Sequence, residues 1–292
     1  MRIGIGLPNT IRGAEGHLIP EWARRAEEYG FSGLATIDRI AYPNYDSLIS
    51  LAAAAGVTER VDLVTNVLLA PLRNPVLLAK EAASVDQISG GRLILGMGVG
   101  GREDDYQLTG QDFKTRGRRF NEALDLMQAA WRGEGVNGAG TAVGPAPTRP
   151  EGVRILIGGT AEEAVKRTVR YGIGWTAGGM APEQSAVQFE RIRQAWKEAG
   201  REGEPRLFAL AYYALGDNAQ EGGSAYLHDY YSFLGQYVDG MAAALPRTAE
   251  QLRDIAHRFE DAGTTDLMFD PTIADLEQVD LLAEAVLGNI AV

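Results

Sequence analysis

Eight short apolar runs alternate with eight amphipathic stretches from one end of the chain to the other. No other feature limits the fold as strongly. The runs are Arg2–Leu7, Gly33–Ile37, Val61–Leu68, Leu93–Gly98, Arg154–Ile157, Gly174–Ala177, Leu207–Leu215 and Asp266–Phe269. Most are rich in Ile, Val, Leu or Ala without polar alternation, the composition of strands buried on both faces. Between them lie Pro20–Tyr29, Ser47–Ala54, Pro75–Ile88, Arg116–Trp131, Ala161–Tyr171, Pro182–Ala199, Thr248–Ala262 and Ile273–Leu287, with apolar residues at helical spacing. Several of these carry start signals. Asn74-Pro75 places a capping side chain before a first-turn proline, and Thr160-Ala-Glu-Glu163 and Thr248-Ala-Glu-Gln251 fit the capping box. Strict alternation predicts parallel strands with right-handed crossovers, and eight units of this length predict a closed (β/α)8 TIM barrel of the α/β class. A doubly wound sheet would carry G-x-G-x-x-G after its first strand; here that strand runs into Leu7-Pro8-Asn9-Thr10.

A single domain over 1–292 is expected, with two excursions. The stretch at about 133–152 is rich in Gly, Ala and Pro and reads as a surface loop between units four and five. The stretch at about 217–245 holds an extra aromatic helix after strand seven. In it Tyr226, Tyr230, Phe233 and Tyr237 are spaced to share one helical face.

Charge and composition remove several classes of function. The balance of 28 Lys and Arg against 39 Asp and Glu gives 28 − 39 = −11, a poor match for nucleic acid or an anionic membrane. The absence of cysteine removes disulfides, thiolate metal sites and cysteine nucleophiles. The start MRIGIGLPNT reads as a strand rather than a signal peptide, and no apolar stretch is long enough to span a bilayer, so a cytoplasmic location is expected.

In such a barrel, chemistry sits at the C-terminal ends of the strands. That rule selects Asn9, Asp38, Arg39, Asn66, Gly98, Gly100, Gly101, Arg102, Glu103, Gly158, Gly159, Thr160, Gly178, Gly179, Met180, Asp270 and Pro271. The segment Gly158-Gly159-Thr160-Ala161 before a helix is the best anion site, since open backbone and free N–H groups meet there; a glycine turn and capped helix without a ligand is the alternative. Of the three histidines, His257 reads as a surface residue, His17 either lines a pocket mouth or is merely exposed, and His228, among tyrosines, is the candidate acid or base. No metal-ligand spacing, nucleophile elbow or P-loop is present, which points to a cofactor as the carrier of the reaction.

The run from Thr65 to Gly100 closely resembles the luciferase-like flavin-dependent oxidoreductases. It carries the Arg73-Asn-Pro-Val76 helix start, the Ser89-Gly-Gly-Arg92 turn and Leu95-Gly-Met-Gly-Val-Gly100. Tyr29-Gly30-Phe31, Arg116-x-x-Arg119-x-x-Glu122, Ile157-Gly158-Gly159-Thr160 and Gly174-Trp175 follow at matching distances. The resemblance implies FMN or the deazaflavin F420 at the strand ends, with the ring near Asp38, Asn66, Val67, Gly98 and Val99–Gly101. It places the phosphate at Gly158–Ala161, with Gly178 near the cofactor, and a non-prolyl cis peptide between Asn66 and Val67. FMN members take reduced flavin from a separate reductase and oxygenate an organic substrate with O2, whereas F420 members transfer hydride directly. The family often has His where Arg39 stands, which tilts the reading toward FMN. The expected activity is a monooxygenase acting on an apolar organic substrate, with Asn66, Asp38, Arg39 and His228 as catalytic residues and a homodimer carried as the assembly. An F420-dependent oxidoreductase and a flavin-binding protein without turnover are the alternatives. A phosphosugar isomerase is disfavoured because no His or Lys stands at the strand ends.

Overall fold

The computed structural model describes residues 1–288. Its strands are β1 (Arg2–Gly6), β2 (Gly33–Thr36), β3 (Asp62–Thr65), β4 (Leu68–Leu69), β5 (Leu93–Gly98), β6 (Arg154–Gly158), β7 (Gly174–Thr176), β8 (Arg206–Tyr213) and β9 (Asp266–Pro271). The helices are α1 (Leu18–Glu28), α2 (Ser47–Ala55), α3 (Pro75–Ile88), α4 (Glu103–Leu108), α5 (Arg116–Trp131), α6 (Glu162–Tyr171), α7 (Pro182–Glu198), α8 (Ala219–Tyr230), α9 (Tyr237–Ala243), α10 (Ala249–Asp261) and α11 (Glu277–Val286). The strands are all parallel, and pairing of β1 with β9 and of β3 with β5 closes the sheet into the expected (β/α)8 barrel. The third stave is interrupted: the peptide joining Asn66 to Val67 is cis, and β4 resumes beyond it against the end of β5.

Alternation along each strand divides the barrel interior into tiers. At the N-terminal end of the strands, Asp62 pairs with Arg2 at 2.8 Å and Arg154 at 2.9 Å, and Asp266 pairs with Arg2 at 3.6 Å. Arg206 bridges both carboxylates. The pairs that Asp62 makes with Arg2, Arg154 and Arg206 join strands that are not neighbours in the sheet, so these side chains meet inside the barrel. Above them Ala35, Val64, Ile94, Leu156, Phe208 and Met268 form a buried apolar plug. Gly4 and Gly33 leave room for Met268, whose sulfur would lie 2.3 Å from a Cβ at Gly4. The third tier, at the C-terminal strand ends, is the site.

Side chains cap two of the three helices whose sequences carry cap signals. Asn74 Oδ1 accepts from the N–H groups of Val76 and Leu77, and Thr248 with Gln251 forms the capping box. Thr160 caps nothing. The turn at Gly159, with φ of +113°, delivers Ala161 to the cap position of α6, and no side chain closes that helix. The loop at 133–152 lies along α3, held by Lys80 on the Gly144 carbonyl, Gln87 on the Ala146 carbonyl and Thr148 on Asp86.

The aromatic helix departs from the expected single rod. It ends at Tyr230, a short 3-10 turn covers Ser232–Leu234, and Gly235 with φ of +57° redirects the chain into α9. The four rings therefore do not share a face. Tyr226 and Tyr230 are buried, whereas Phe233 and Tyr237 are exposed.

Candidate active site at the C-terminal strand ends

The Asn66–Val67 segment forms the floor of the site. Val67 lies against the two glycines beside it: a Cβ at Gly98 would stand 2.9 Å from its Cγ2, and one at Gly158 would stand 3.0 Å from its Cγ1. These glycines keep a flat apolar shelf open. Asn66 is buried, and its Oδ1 accepts from the Thr176 hydroxyl at 2.8 Å. That bond links β7 to the break in stave three across the barrel mouth. The Thr176 oxygen in turn accepts the Gly178 N–H at 3.1 Å. Asn66 Nδ2 is enclosed and has no hydrogen-bond partner among the described residues. A buried amide donor above an apolar shelf fits a flat, acceptor-bearing ring.

Asp38 and Arg39 point in different directions. Asp38 is fully engaged, accepting from both guanidinium nitrogens of Arg73 at 2.7 and 3.1 Å and from the Leu69 N–H at 2.9 Å. It therefore braces the loop beyond the shelf, its carboxylate held by Arg73 and the Leu69 amide. Arg39 is 8% exposed, paired with Asp104 at 2.9 Å and Asp105 at 3.4 Å. Its guanidinium lies 5.6 and 5.8 Å from the ring centres of Tyr42 and Tyr230.

His228 lies on the outer side of α8. The helix turn that buries Tyr226 and Tyr230 points His228 outward. There Nδ1 meets the Ser224 carbonyl and Nε2 meets Asp239, each at 2.8 Å. The contact with Asp239 raises its pKa, and the ring is spent on tying α8 to α9. His17, beside Glu15, lines the mouth of the cavity by Arg12 and Tyr42, and His257 is exposed beside Glu260.

A belt of phenols roofs the mouth. Tyr212, inward-facing on β8, shares a 2.8 Å hydrogen bond with Tyr231, and Tyr226 shares one of the same length with Thr10. Tyr226 and Tyr230 stack with centroids 5.6 Å apart, and Tyr42 and Tyr231 meet the Tyr230 ring edge-on. Arg102, in the loop after β5, lies over Phe233 at 3.9 Å and Tyr230 at 4.9 Å and donates to the Tyr230 carbonyl. Burial pushes the Tyr231 hydroxyl up to about 12 and those of Tyr212, Tyr226 and Tyr230 well above the usual phenol value. All four are neutral donors at ordinary pH. Two cavities flank the belt. One of about 740 Å³ opens by Arg12, Tyr42, Asp229 and Thr272; the other, about 500 Å³, lies among Met180, Leu210, Tyr212, Met241 and Phe259.

Gly158 to Ala161 form an exposed turn into α6, as the anion reading requires, but Glu162 and Glu163 occupy the first turn of that helix. Arg191 offsets this by pairing with Glu162 and donating to the Thr160 carbonyl. Gly100, with φ of +71°, packs against Leu69, and Gly101 has open space where a Cβ would stand.

Two members of the site were not assigned from sequence. Thr176 lies two residues beyond Gly174 on the same inward face, a parity that could have found it. Asp270 lies four residues beyond Asp266 and so faces inward near the mouth. It appeared only as one strand-end residue among many.

With this geometry in place, the chain can be set beside known proteins. Residues 1–286 match the family model for luciferase-like monooxygenases, and the chain belongs to that family as an oxidoreductase of its class. An uncharacterized protein of Mycobacterium tuberculosis is 31% identical over 208 residues, 61% of this chain and 71% of its own length. A monooxygenase from Streptomyces bottropensis has the same fold, with a TM-score of 0.82, 24% identity and coverage of 98% of this chain and 99% of its own. An F420-dependent secondary alcohol dehydrogenase in complex with an F420-acetone adduct is similar with a TM-score of 0.79 and 19% identity, over 98% of each chain. No helix among the described residues is long and apolar enough to cross a membrane.

Proposed function

We propose that the protein is an FMN-dependent monooxygenase that uses reduced flavin, delivered by a separate reductase, and O2 to oxygenate an apolar organic substrate. When bound, reduced FMN would supply two electrons and two protons to O2, so that one oxygen atom enters the substrate and the other leaves as water. The observation that carries this reading is Arg39. A guanidinium carries donors only and offers no lone pair to accept a proton, and here it is fixed by two aspartates. The position where the resembled deazaflavin enzymes often keep a proton-handling histidine is thus unsuited to that task.

The remaining residues support the same assignment. Val67 on Gly98 and Gly158 would carry the ring, Asn66 Nδ2 would donate to it, and the backbone at Gly159–Ala161 would take the phosphate. The phenol belt excludes water, and the cavity beside Tyr212 and Phe259 has aromatic and aliphatic walls suited to an apolar substrate.

The test is the absorbance spectrum of the ligand taken up when pure protein is offered FMN and F420 together, followed by O2 uptake in the presence of a flavin reductase. Selective uptake of FMN is the expected result. Selective uptake of F420 would assign the chain to deazaflavin hydride transfer instead. Gly159→Asp, adding bulk and a like charge, is expected to weaken FMN binding about tenfold, or roughly 1.4 kcal/mol, while the fold survives. Unchanged affinity in the folded variant would move the phosphate elsewhere.

A further inference from the structure

Asp270 is a buried carboxylate of the barrel mouth that has no cationic partner among the described residues. It lies at the end of β9, is 4% exposed, and its enclosed Oδ1 meets no hydrogen-bond donor among the described residues. The chain makes room for it. A Cβ at Gly6, the inward residue beside it on β1, would stand 2.1 Å from Oδ1, so glycine there is what seats the carboxyl inside the barrel. On its other side Asp270 pairs in register with Tyr212 of β8. The titratable groups that feel its charge are phenols: Tyr212 and Tyr213 from β8, Tyr226 and Tyr230 from α8, and Tyr231 just beyond. Two cations reach this cluster: Arg39, paired with Asp104 and Asp105, and Arg102, which lies over the Tyr230 and Tyr231 rings and donates to the Tyr230 carbonyl; neither forms an ion pair with Asp270. A buried carboxylate with no partner is costly and is relieved by keeping its proton. Burial alone pushes the Asp270 carboxyl up to about 8.

We propose that Asp270 holds a proton in the working enzyme and donates it in a hydrogen bond to a neutral carbonyl oxygen of the bound molecule, so that this end of the pocket accepts an uncharged ketone or flavin carbonyl and rejects a carboxylate. The inference rests on the mouth being the ligand site and not on which flavin binds there. The same acceptor chemistry could come from the cofactor ring or from the substrate, and the two are tested separately.

The first measurement needs no ligand. Infrared difference spectra of the apoprotein between pH 6 and pH 9 should show a carboxylic-acid band lost with a midpoint near 8 in the native chain and absent from Asp270→Asn. Lack of that band overturns the proposal whichever cofactor the protein uses. The second is a binding titration at pH 6.5 and pH 9 with FMN in one arm and acetophenone against benzoate in the other. In at least one arm, native affinity should fall about tenfold at the higher pH. Asp270→Asn, whose amide donates at both pH values, should bind with pH-independent affinity, and Asp270→Ala should bind about tenfold more weakly at pH 6.5. Acetophenone should be preferred over benzoate in the native chain. A response confined to FMN places the donor at the cofactor, and one confined to acetophenone places it at the substrate. If both arms are flat with pH and Asp270→Ala binds like the native chain, the proposal fails. Failure of FMN to bind at any pH, with the infrared band intact, counts against the cofactor assignment alone.

Discussion

The two ends of the barrel interior handle buried charge in opposite ways. At the N-terminal end, Asp62 and Asp266 are interleaved with Arg2, Arg154 and Arg206. Burial pushes the Asp62 carboxyl up, but the guanidinium groups of Arg154 and Arg206 outweigh it and its pKa ends below the usual value. At the C-terminal end, Asp270 is buried and burial raises its pKa to about 8, while among the described residues it has no cationic partner and Asn66 Nδ2 and Asp270 Oδ1 meet no hydrogen-bond partner. The apolar plug keeps the two tiers from mixing. Satisfied polar groups make one end a fastening, and unsatisfied ones make the other end a place for a ligand.

The contrast is most exposed to test at Asp62. Asp62→Ala leaves three arginines to share Asp266 and is expected to cost about 3–5 kcal/mol in urea unfolding. The pH dependence should separate the two tiers as well. A carboxyl with a lowered folded pKa stabilises above its unfolded value of about 4 and loses that contribution as pH falls further, so Asp62→Asn should flatten acid unfolding below about pH 4. Asp270 has the opposite sign: its burial is least costly below about pH 4, and the penalty grows until the folded group ionises near 8. Asp270→Asn should therefore raise the melting temperature more at pH 8 than at pH 5, and equal shifts at both would refute the contrast.

A smaller effect is expected at Gly6. Gly6→Ala forces the Asp270 carboxyl aside and should cost about 1–3 kcal/mol, as overpacking does. Combining it with Asp270→Ala should recover most of that loss, and additive costs would show that the carboxyl does not occupy the glycine's space. Thr176→Val, which removes the link between Gly178 and Asn66, should cost about 1 kcal/mol and weaken cofactor binding, measured by fluorescence quenching. Least of all, Tyr237→Ser, on the exposed part of the aromatic segment, should change stability by no more than about 0.5 kcal/mol. A large loss there would restore the single-faced stripe.

Much of the barrel was legible because its signals are local. The spacing gave α3 and α5 to the residue, and the boundaries of β5 likewise, because caps, prolines and glycine turns act within a few positions. The same local reasoning failed at Thr160, where a left-handed Gly159 shifted the cap by one residue, and at Tyr231–Gly235, where a glycine breaks the helix that the tyrosine spacing suggests. At the site, Asn66 and the glycines beside Val67 were named from sequence. The partners that hold Asp38 and His228, Arg73 and Asp239, lie 35 and 11 residues away, beyond any local window.

The sequence by itself determined the barrel, the strand ends that carry its site, and the absence of a thiol among the candidates, since periodicity and composition are properties of short windows. Only the tertiary structure decided which of two inward aspartates on β9 is neutralised. Asp266 and Asp270 are the same residue type on the same face of the same strand, four positions apart. One meets arginines brought in by β1 and β8, and the other meets a glycine and phenols contributed by β1, β8 and α8. The protonation state of a buried carboxyl depends on groups gathered through space, and no window of sequence contains them.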